Sequence, residues 1–316
     1  MSGPLLAAKG LTRSFSLDSR GFRAIDGVDF EIGRGEAVGI VGESGSGKST
    51  LALTLLRAHE PDAGQVLFDG QDLAQAAALA AMRRRVQLVF QDSNTSLDPR
   101  WTVERLVGER LRIHRAGTRD QIRARVAAAL EQVGLPEAAM TRRAASFSGG
   151  QRQRIAIARA LISQPDLIVA DEPVSALDVS VQAQIVRLFE DLRARLGMAL
   201  LLITHDMALL YRLTDRTFVM YFGRVVETGP SYALIERPRH PYTDALIGAS
   251  PAARRIGRGR TLAPADPPSP IDPPSGCAFH PRCPRARDRC RVEAPALLPV
   301  AEGRSVACHY PLEMLP

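Results

Sequence analysis

Lys48 is the first residue whose setting implies chemistry. The chain has 41 Lys and Arg against 34 Asp and Glu, yet lysine occurs only at Lys9 and Lys48. A sequence that uses arginine almost everywhere keeps a compact ammonium at position 48, where a planar guanidinium would not fit a tight loop. Around it runs Gly42-Glu43-Ser44-Gly45-Ser46-Gly47-Lys48-Ser49-Thr50, which fits G-x-x-x-x-G-K-[ST]. Glycines let successive backbone N–H groups turn inward around phosphate oxygens, and a helix start adds the positive end of its dipole. Lys48 is then expected to reach the β- and γ-phosphates of a nucleotide, and the Ser49 hydroxyl to ligate Mg²⁺. A chance glycine-rich turn is the bland alternative. It leaves unexplained the apolar run Ala37–Val41 before the loop and the helical pattern from Lys48 to Leu56 after it.

Hydrolysis of a nucleotide also needs a carboxylate for the metal shell and a group to orient water. Leu167-Ile-Val-Ala-Asp171-Glu172 offers both at the end of an apolar strand, the edge where open α/β sheets bind ligands. Asp171 is expected to act on Mg²⁺ through water, and Glu172 as general base. Ile203-Thr204-His205-Asp206 ends the next apolar run, which places His205 near the same edge to contact the γ-phosphate. Gln91, after the run Val86–Phe90, is a neutral amide suited to Mg²⁺ or the attacking water. A capped strand end, a structural histidine and a surface glutamine are the bland readings of these residues. The upstream phosphate loop favours the functional ones.

The elements that must position these residues alternate. Short strands and turns fill Leu5 to Ile40. Strand Ala37–Val41, helix 149–163, strand Leu167–Ala170, helix 179–196, strand Ala199–Thr204 and a helix from Met207 follow the pattern of parallel strands with crossover helices, an α/β sheet covered on both faces. Between them Val103, Leu106, Val107, Leu111, Ile122, Val126, Leu130 and Val133 recur at helical spacing, which reads as an inserted helical subdomain over about 92–160. The expected organisation is a core over 1–250, an Arg/Pro-rich linker over 251–276, and an extension over 277–316 carrying all four cysteines. No internal repeat is visible.

Composition narrows the class. Hydrophobic residues at 45% and charged residues at 24% are ordinary for a globular chain. No run approaches the about 18 apolar residues a spanning helix needs, so any membrane role must pass through a partner. The net charge of +7 is spread along the chain and mixed with acids, with few aromatics among the basic residues, which disfavours nucleic acid as a partner. The first residues carry no export signal. A reducing compartment is therefore expected, and clustered cysteines there point to metal or iron–sulfur ligation over disulfides.

Phe147-Ser148-Gly149-Gly150-Gln151, followed by Arg152-Gln-Arg154, resembles the signature of ABC ATPases, with Phe147 where leucine is usual. Ser148 and the glycines open a second anion-binding helix start. Motif order and spacing match this family from about Leu5 to Glu227. The resemblance implies a P-loop NTPase cassette with a RecA-like parallel core, an antiparallel β subdomain and the helical insert. It also implies two cassettes arranged head to tail, in which Ser148, Gly149, Gly150 and Gln151 act on the ATP held by the partner's loop. Ser175-Ala-Leu-Asp178 is similar to the D-loop, Gln91 to the Q-loop and His205 to the switch histidine, while Phe15 takes the place of an aromatic that stacks on adenine.

Two further stretches, Asp92 to Arg100 and Arg239-His-Pro-Tyr-Thr243, are similar to the ATPase subunits of oligopeptide and dipeptide importers, a branch that includes nickel and metallophore systems; the second, F-type subunit is the nearer likeness. This implies a second ATPase subunit, two membrane-spanning permease subunits, a solute-binding protein, and a peripheral place on the cytoplasmic face of the membrane. Cys277, Cys283, Cys290 and Cys308 resemble that branch's C-terminal extension. Their spacing is longer than the C-x₂₋₄-C pairs of structural zinc sites, which favours a [4Fe–4S] cluster over Zn²⁺ or a tail that holds no metal. A soluble ABC-type ATPase acting on nucleic acid, and a nucleotide-binding module that does not hydrolyse, are the competing classes. The lack of a second cassette speaks against the first, and Glu172 against the second.

Overall fold

A computed structural model describes residues 3–17, 20–90, 96–249, 269, 271–300 and 303–313. Within these the chain forms two compact units, one built from Met1–Gly33, Ala37–Leu79 and Leu202–Pro316, the other from Arg34–Glu36 and Ala80–Leu201. Gln91 and most of the linker lie outside the described residues.

The first unit opens with the long strands β1 (Leu6–Leu17) and β2 (Arg20–Ile32), which pair antiparallel. Buried Ile25, Val28, Phe30 and Ile32 put one face of β2 toward the core. Strand β3 (Ala37–Val41), buried at every position, leads through the glycine loop into α1 (Lys48–Leu55). Strands β4 (Ala63–Phe68) and β5 (Gln71–Asp72) complete a four-stranded sheet in the order β2-β1-β4-β5.

Helix α2 (Ala76–Arg85) carries the chain into the second unit, where β6 (Val86–Val89) lies parallel to β7 (Leu167–Asp171). Phe90 was expected to extend β6 but is exposed beyond its end. The helical stretch is two helices, α3 (Val103–Ile113) and α4 (Arg119–Gln132). Gly117, at φ 140°, breaks the run, and Thr118 starts the second helix with a capping box to Gln121. The apolar positions read from the spacing are all buried. Helix α5 (Gly149–Leu161) precedes β7, and α6 (Val179–Leu196) leads to β8 (Ala199–Thr204), which returns the chain to the first unit.

There α7 (Met207–Leu213) is followed by the hairpin β9 (Arg216–Tyr221) and β10 (Arg224–Pro230). Strand β9 runs parallel to β3, but β10 is antiparallel to β9. Helices α8 (Ser231–Glu236), α9 (Pro241–Ala249) and α10 (Asp288–Val292) and strands β11 (Leu298–Val300) and β12 (Arg304–Val306) finish the chain. Strand β12 pairs antiparallel with β10, so the cysteine extension continues a sheet of this unit, giving the order β11-β12-β10-β9-β3. The sheet is thus mixed here, with antiparallel strands continuing the parallel pair β9 and β3. Among the described residues no helix is long and apolar enough to cross a membrane.

Candidate functional site

The phosphate loop lies between β3 and α1, as its pattern required. Gly45 at φ 77° and Gly47 at φ 100° take backbone conformations that side chains disfavour, and Gly47 is the N-cap of α1. Close approach explains the glycines at 42 and 47. A Cβ on Gly42 would sit 2.3 Å from the Met220 carbonyl, and one on Gly47 2.3 Å from the Ala24 carbonyl. The turn of the β9–β10 hairpin braces the loop, since Gly223 N donates to Ser46 O at 3.0 Å. That turn has Phe222 at φ 52° and Gly223 at φ 75°, the paired positive φ of a tight hairpin.

Lys48 is buried, and its Nζ donates to the carbonyls of Gly42 and Glu43, both at 2.8 Å. Ser46 Oγ is buried without a hydrogen-bond partner. A buried hydroxyl without a protein partner is free to receive a polar ligand atom. Ser44, Gly45 and Ser49 face solvent at the same loop. Phe15 is half-buried on β1. Its ring stands 6.1 Å from Phe22 and 5.5 Å from His59, with the Arg13 guanidinium 4.9 Å from its centroid.

His205 follows β8 as an exposed residue before Asp206, whose carboxylate accepts from Ala208 N at 2.8 Å and caps α7.

In the second unit Asp171 is the last residue of β7 and Glu172 follows it at φ 44°, a left-handed conformation that costs a non-glycine residue about 1 kcal/mol or more. Both carboxylates are half-buried. Glu172 O accepts from Ser175 N and Oγ, at 3.3 and 3.1 Å, so the strained residue opens a tight turn. Asp178 ends that stretch by capping α6. Its Oδ1 accepts from Val181 N at 2.9 Å and Ser180 Oγ at 2.7 Å, and these bonds hold its carboxyl below the ordinary range.

The signature segment opens α5 with Ser148 as N-cap. Ser148 Oγ accepts from Gln151 N at 3.4 Å, and Gln151 Oε1 accepts from Ser148 N at 3.1 Å. Gly150 is required by packing, because a Cβ there would lie 2.4 Å from Val181 Cγ1 on α6. The helix start expected from the sequence is present, and its serine and glutamine hold each other.

Cys277, Cys283, Cys290 and Cys308 are free thiols that line one small cavity with His240, Phe279 and neighbouring residues. Burial, then mutual repulsion, pushes the Cys308 thiol up to about 11, and burial raises Cys277 and Cys283 as well. Among the described residues no group of three or more His, Cys, Asp or Glu is placed to hold a single metal ion.

The residues that sequence patterns missed are those that hold the loop from behind. Tyr242 Oη accepts from Glu43 N at 2.8 Å, and the Arg282 guanidinium grips the Glu43 carboxylate through two bonds of 2.7 and 2.9 Å. Tyr242 lies in a stretch that marks the importer branch. Arg282 had no local signal at all.

Residues 25–175 match the family described as "ABC transporter", and residues 226–290 match "Oligopeptide/dipeptide transporter, C-terminal region". The chain is 49% identical over 308 residues to a putative peptide import ATP-binding protein of Brucella ovis, covering 96% of this chain and 97% of that one. It is 43% identical to the oligopeptide transport ATP-binding protein AppF of Bacillus subtilis, covering 91% and 89%. It is also 43% identical to the di/tripeptide transport ATP-binding protein DppF of Pseudomonas aeruginosa, covering 98% and 99%. Among solved structures it is similar to cbiO1 of Clostridium perfringens, part of the ABC transporter complex cbiONQ, with TM-score 0.67 at 28% identity over 80% of this chain and 97% of that one. It is also similar to the dimeric ATP-binding cassette MJ0796 in a post-hydrolysis state bound to ADP and Pi, with TM-score 0.65 at 30% identity over 72% and 98%.

Proposed function

The chain belongs to the ABC transporter ATP-binding family, and we propose that it is the ATP-hydrolysing subunit of a membrane importer of oligopeptides or dipeptides. The observation that carries the chemistry is the phosphate loop itself. Left-handed glycines, a buried lysine and an orphaned serine hydroxyl form a cradle at a helix start. The likeness of the C-terminal region to that of oligopeptide and dipeptide transporters supports the cargo class.

In this reading Gly42 to Thr50 hold the triphosphate, Lys48 neutralises its β- and γ-oxygens, and Phe15 stacks on the adenine. Ser49 and Gln91 would hold Mg²⁺, with Asp171 acting on it through water, and the ion would offset phosphate charge. Glu172 takes the proton of the attacking water, and the strain at its backbone supports a functional role for that position. His205 contacts the γ-phosphate, and Ser148 to Gln151 serve the nucleotide of a second ATPase subunit. Two permease subunits, a solute-binding protein and a peripheral place on the inner face of the membrane complete the assembly.

For the tail, the proposal is a [4Fe–4S] cluster on Cys277, Cys283, Cys290 and Cys308, whose thiols line one small cavity. The side chains are not arranged around a single ion, and no step of hydrolysis is routed through the group. Iron analysis and visible absorbance of anaerobically purified protein test it, and colourless, iron-free protein rejects it.

Reconstitution with the co-purifying permease subunits in liposomes tests the whole reading. Uptake of a labelled dipeptide should require MgATP and stop with Lys48→Ala. ATPase activity driven by nucleic acid, with steep salt dependence, would replace it with the competing class.

A further inference from the structure

Glu43 sits inside the phosphate loop, and each of its polar groups is held by a different element. Its N–H donates to Tyr242 Oη on α9 at 2.8 Å. Its carbonyl accepts from Lys48 Nζ at 2.8 Å and from Ser46 N at 3.2 Å. Its carboxylate takes both arms of the Arg282 guanidinium at 2.7 and 2.9 Å, with the arginine side chain 5% exposed and the glutamate 21%. A two-armed arginine–carboxylate pair fixes orientation as well as charge.

Arg282 is itself held. It ends a 3-10 turn, His280–Arg282, that lies between Cys277 and Cys283. Its N–H donates to Phe279 O at 3.1 Å. Phe279 is fully buried and packs 5.3 Å from Tyr221 and 5.4 Å from Tyr242, ring centre to ring centre, while those two tyrosines stand 4.6 Å apart. The aromatic cluster gives the guanidinium and the Tyr242 hydroxyl one rigid mounting.

We propose that Arg282 and Tyr242 are positioning residues for the phosphate loop, through which the C-terminal extension sets affinity for MgATP. This rests on the loop being the ATP site. Two physical reasons carry it. Gly42, Gly45 and Gly47 leave the loop few constraints of its own, so ordering it on ligand binding costs entropy unless something orders it beforehand. A carboxylate within an anion-binding loop also repels the triphosphate unless a cation neutralises it. Arg282 does both. It touches no reacting atom, so its loss weakens ground-state and transition-state binding alike and appears in KM and not in kcat.

The test measures MgATP binding by calorimetry, and steady-state hydrolysis, on the full-length chain. Arg282→Ala should weaken binding and raise KM by about tenfold with kcat changed by less than about twofold. Arg282→Lys, which keeps the charge without the fork, should fall between. Adding Glu43→Gln to Arg282→Ala should recover only the part of the affinity owed to the stranded carboxylate, because the loop still lacks its anchor. Affinity of Arg282→Ala equal to the parent's, or full recovery on adding Glu43→Gln, overturns the proposal. Should Arg282→Ala not fold, Tyr242→Phe removes only the hydroxyl and should weaken binding by about threefold; unchanged affinity there overturns the proposal equally. Lys48→Ala separates the two readings. If it abolishes binding while the Arg282 and Tyr242 variants do nothing, only this inference fails. If it too leaves binding intact, the ATP site is misassigned.

Discussion

Arg304 on β12 and Glu227 on β10 form an ion pair of 2.6 Å with their side chains 1% and 0% exposed. Further bonds surround the pair: Glu227 also accepts from the backbone N–H of Arg239 at 2.8 Å and of His240 at 2.9 Å, while Arg304 also donates to Arg237 O at 2.6 Å. Gly229 makes room for it, since a Cβ there would lie 2.5 Å from Arg304 Cγ. This network fastens the cysteine extension to the second strand of the hairpin.

Removing one member strands the other charge in the interior. Arg304→Ala should therefore destabilise the chain by about 3–5 kcal/mol. Replacing both, Arg304→Met with Glu227→Gln, should cost less than the single change. Urea unfolding of the three proteins checks this, and a single variant as stable as the parent refutes it.

His240 predicts a pH dependence. It is buried, its Nδ1 accepts from Tyr242 N at 3.0 Å, and the ring also bonds the Ala307 backbone. Burial lowers its pKa from 6.5 to about 4. The unfolded chain binds this proton first as pH falls, so stability holds above about 6.5 and declines toward 4, by about 2 kcal/mol at pH 5. The urea midpoint should drop between pH 7 and 5, and His240→Asn should flatten that slope. Equal slopes in both proteins would remove the assignment.

Glu172→Gln keeps shape and hydrogen bonding but cannot take a proton. Hydrolysis should fall by about 10²–10⁴-fold while MgATP affinity stays unchanged, and ATP-bound dimers should accumulate on size exclusion. Unaltered turnover means that another group is the base.

Gly150→Ala places a Cβ 2.4 Å from Val181 Cγ1. The starts of α5 and α6 must then separate, which should cost about 1–3 kcal/mol and lower turnover with it. Val181→Ala in the same chain removes the obstructing methyl and should restore the melting temperature. If Gly150→Ala alone melts like the parent, the glycine is not a packing requirement.

Much of this molecule was legible in its sequence because the informative features are local. The loop from Gly42 to Ser49 fits a contiguous pattern, and its strand and helix follow from an apolar run and a helical period. Helix α6 spans the expected residues, with Asp178 as its cap. The helical stretch was legible as helical, but its division at Gly117 was not, because the apolar spacing continues across the break. The hairpin of β9 and β10 was not foreseen either. Its turn, Phe222-Gly223, carries weak local signals and gains its meaning only by bracing Ser46.

What the sequence determined alone is therefore the chemistry available: a phosphate cradle, a carboxylate pair at a strand end, a serine-capped helix start and four clustered thiols. Only the tertiary structure decided what holds that chemistry in place. Glu43 and Arg282 lie 239 residues apart, and no period or motif links positions so distant. Hydrogen-bond patterns and side-chain periodicity are set by neighbours along the chain, whereas the meeting of a loop carboxylate with a remote guanidinium depends on how the hairpin, α9 and the extension pack together.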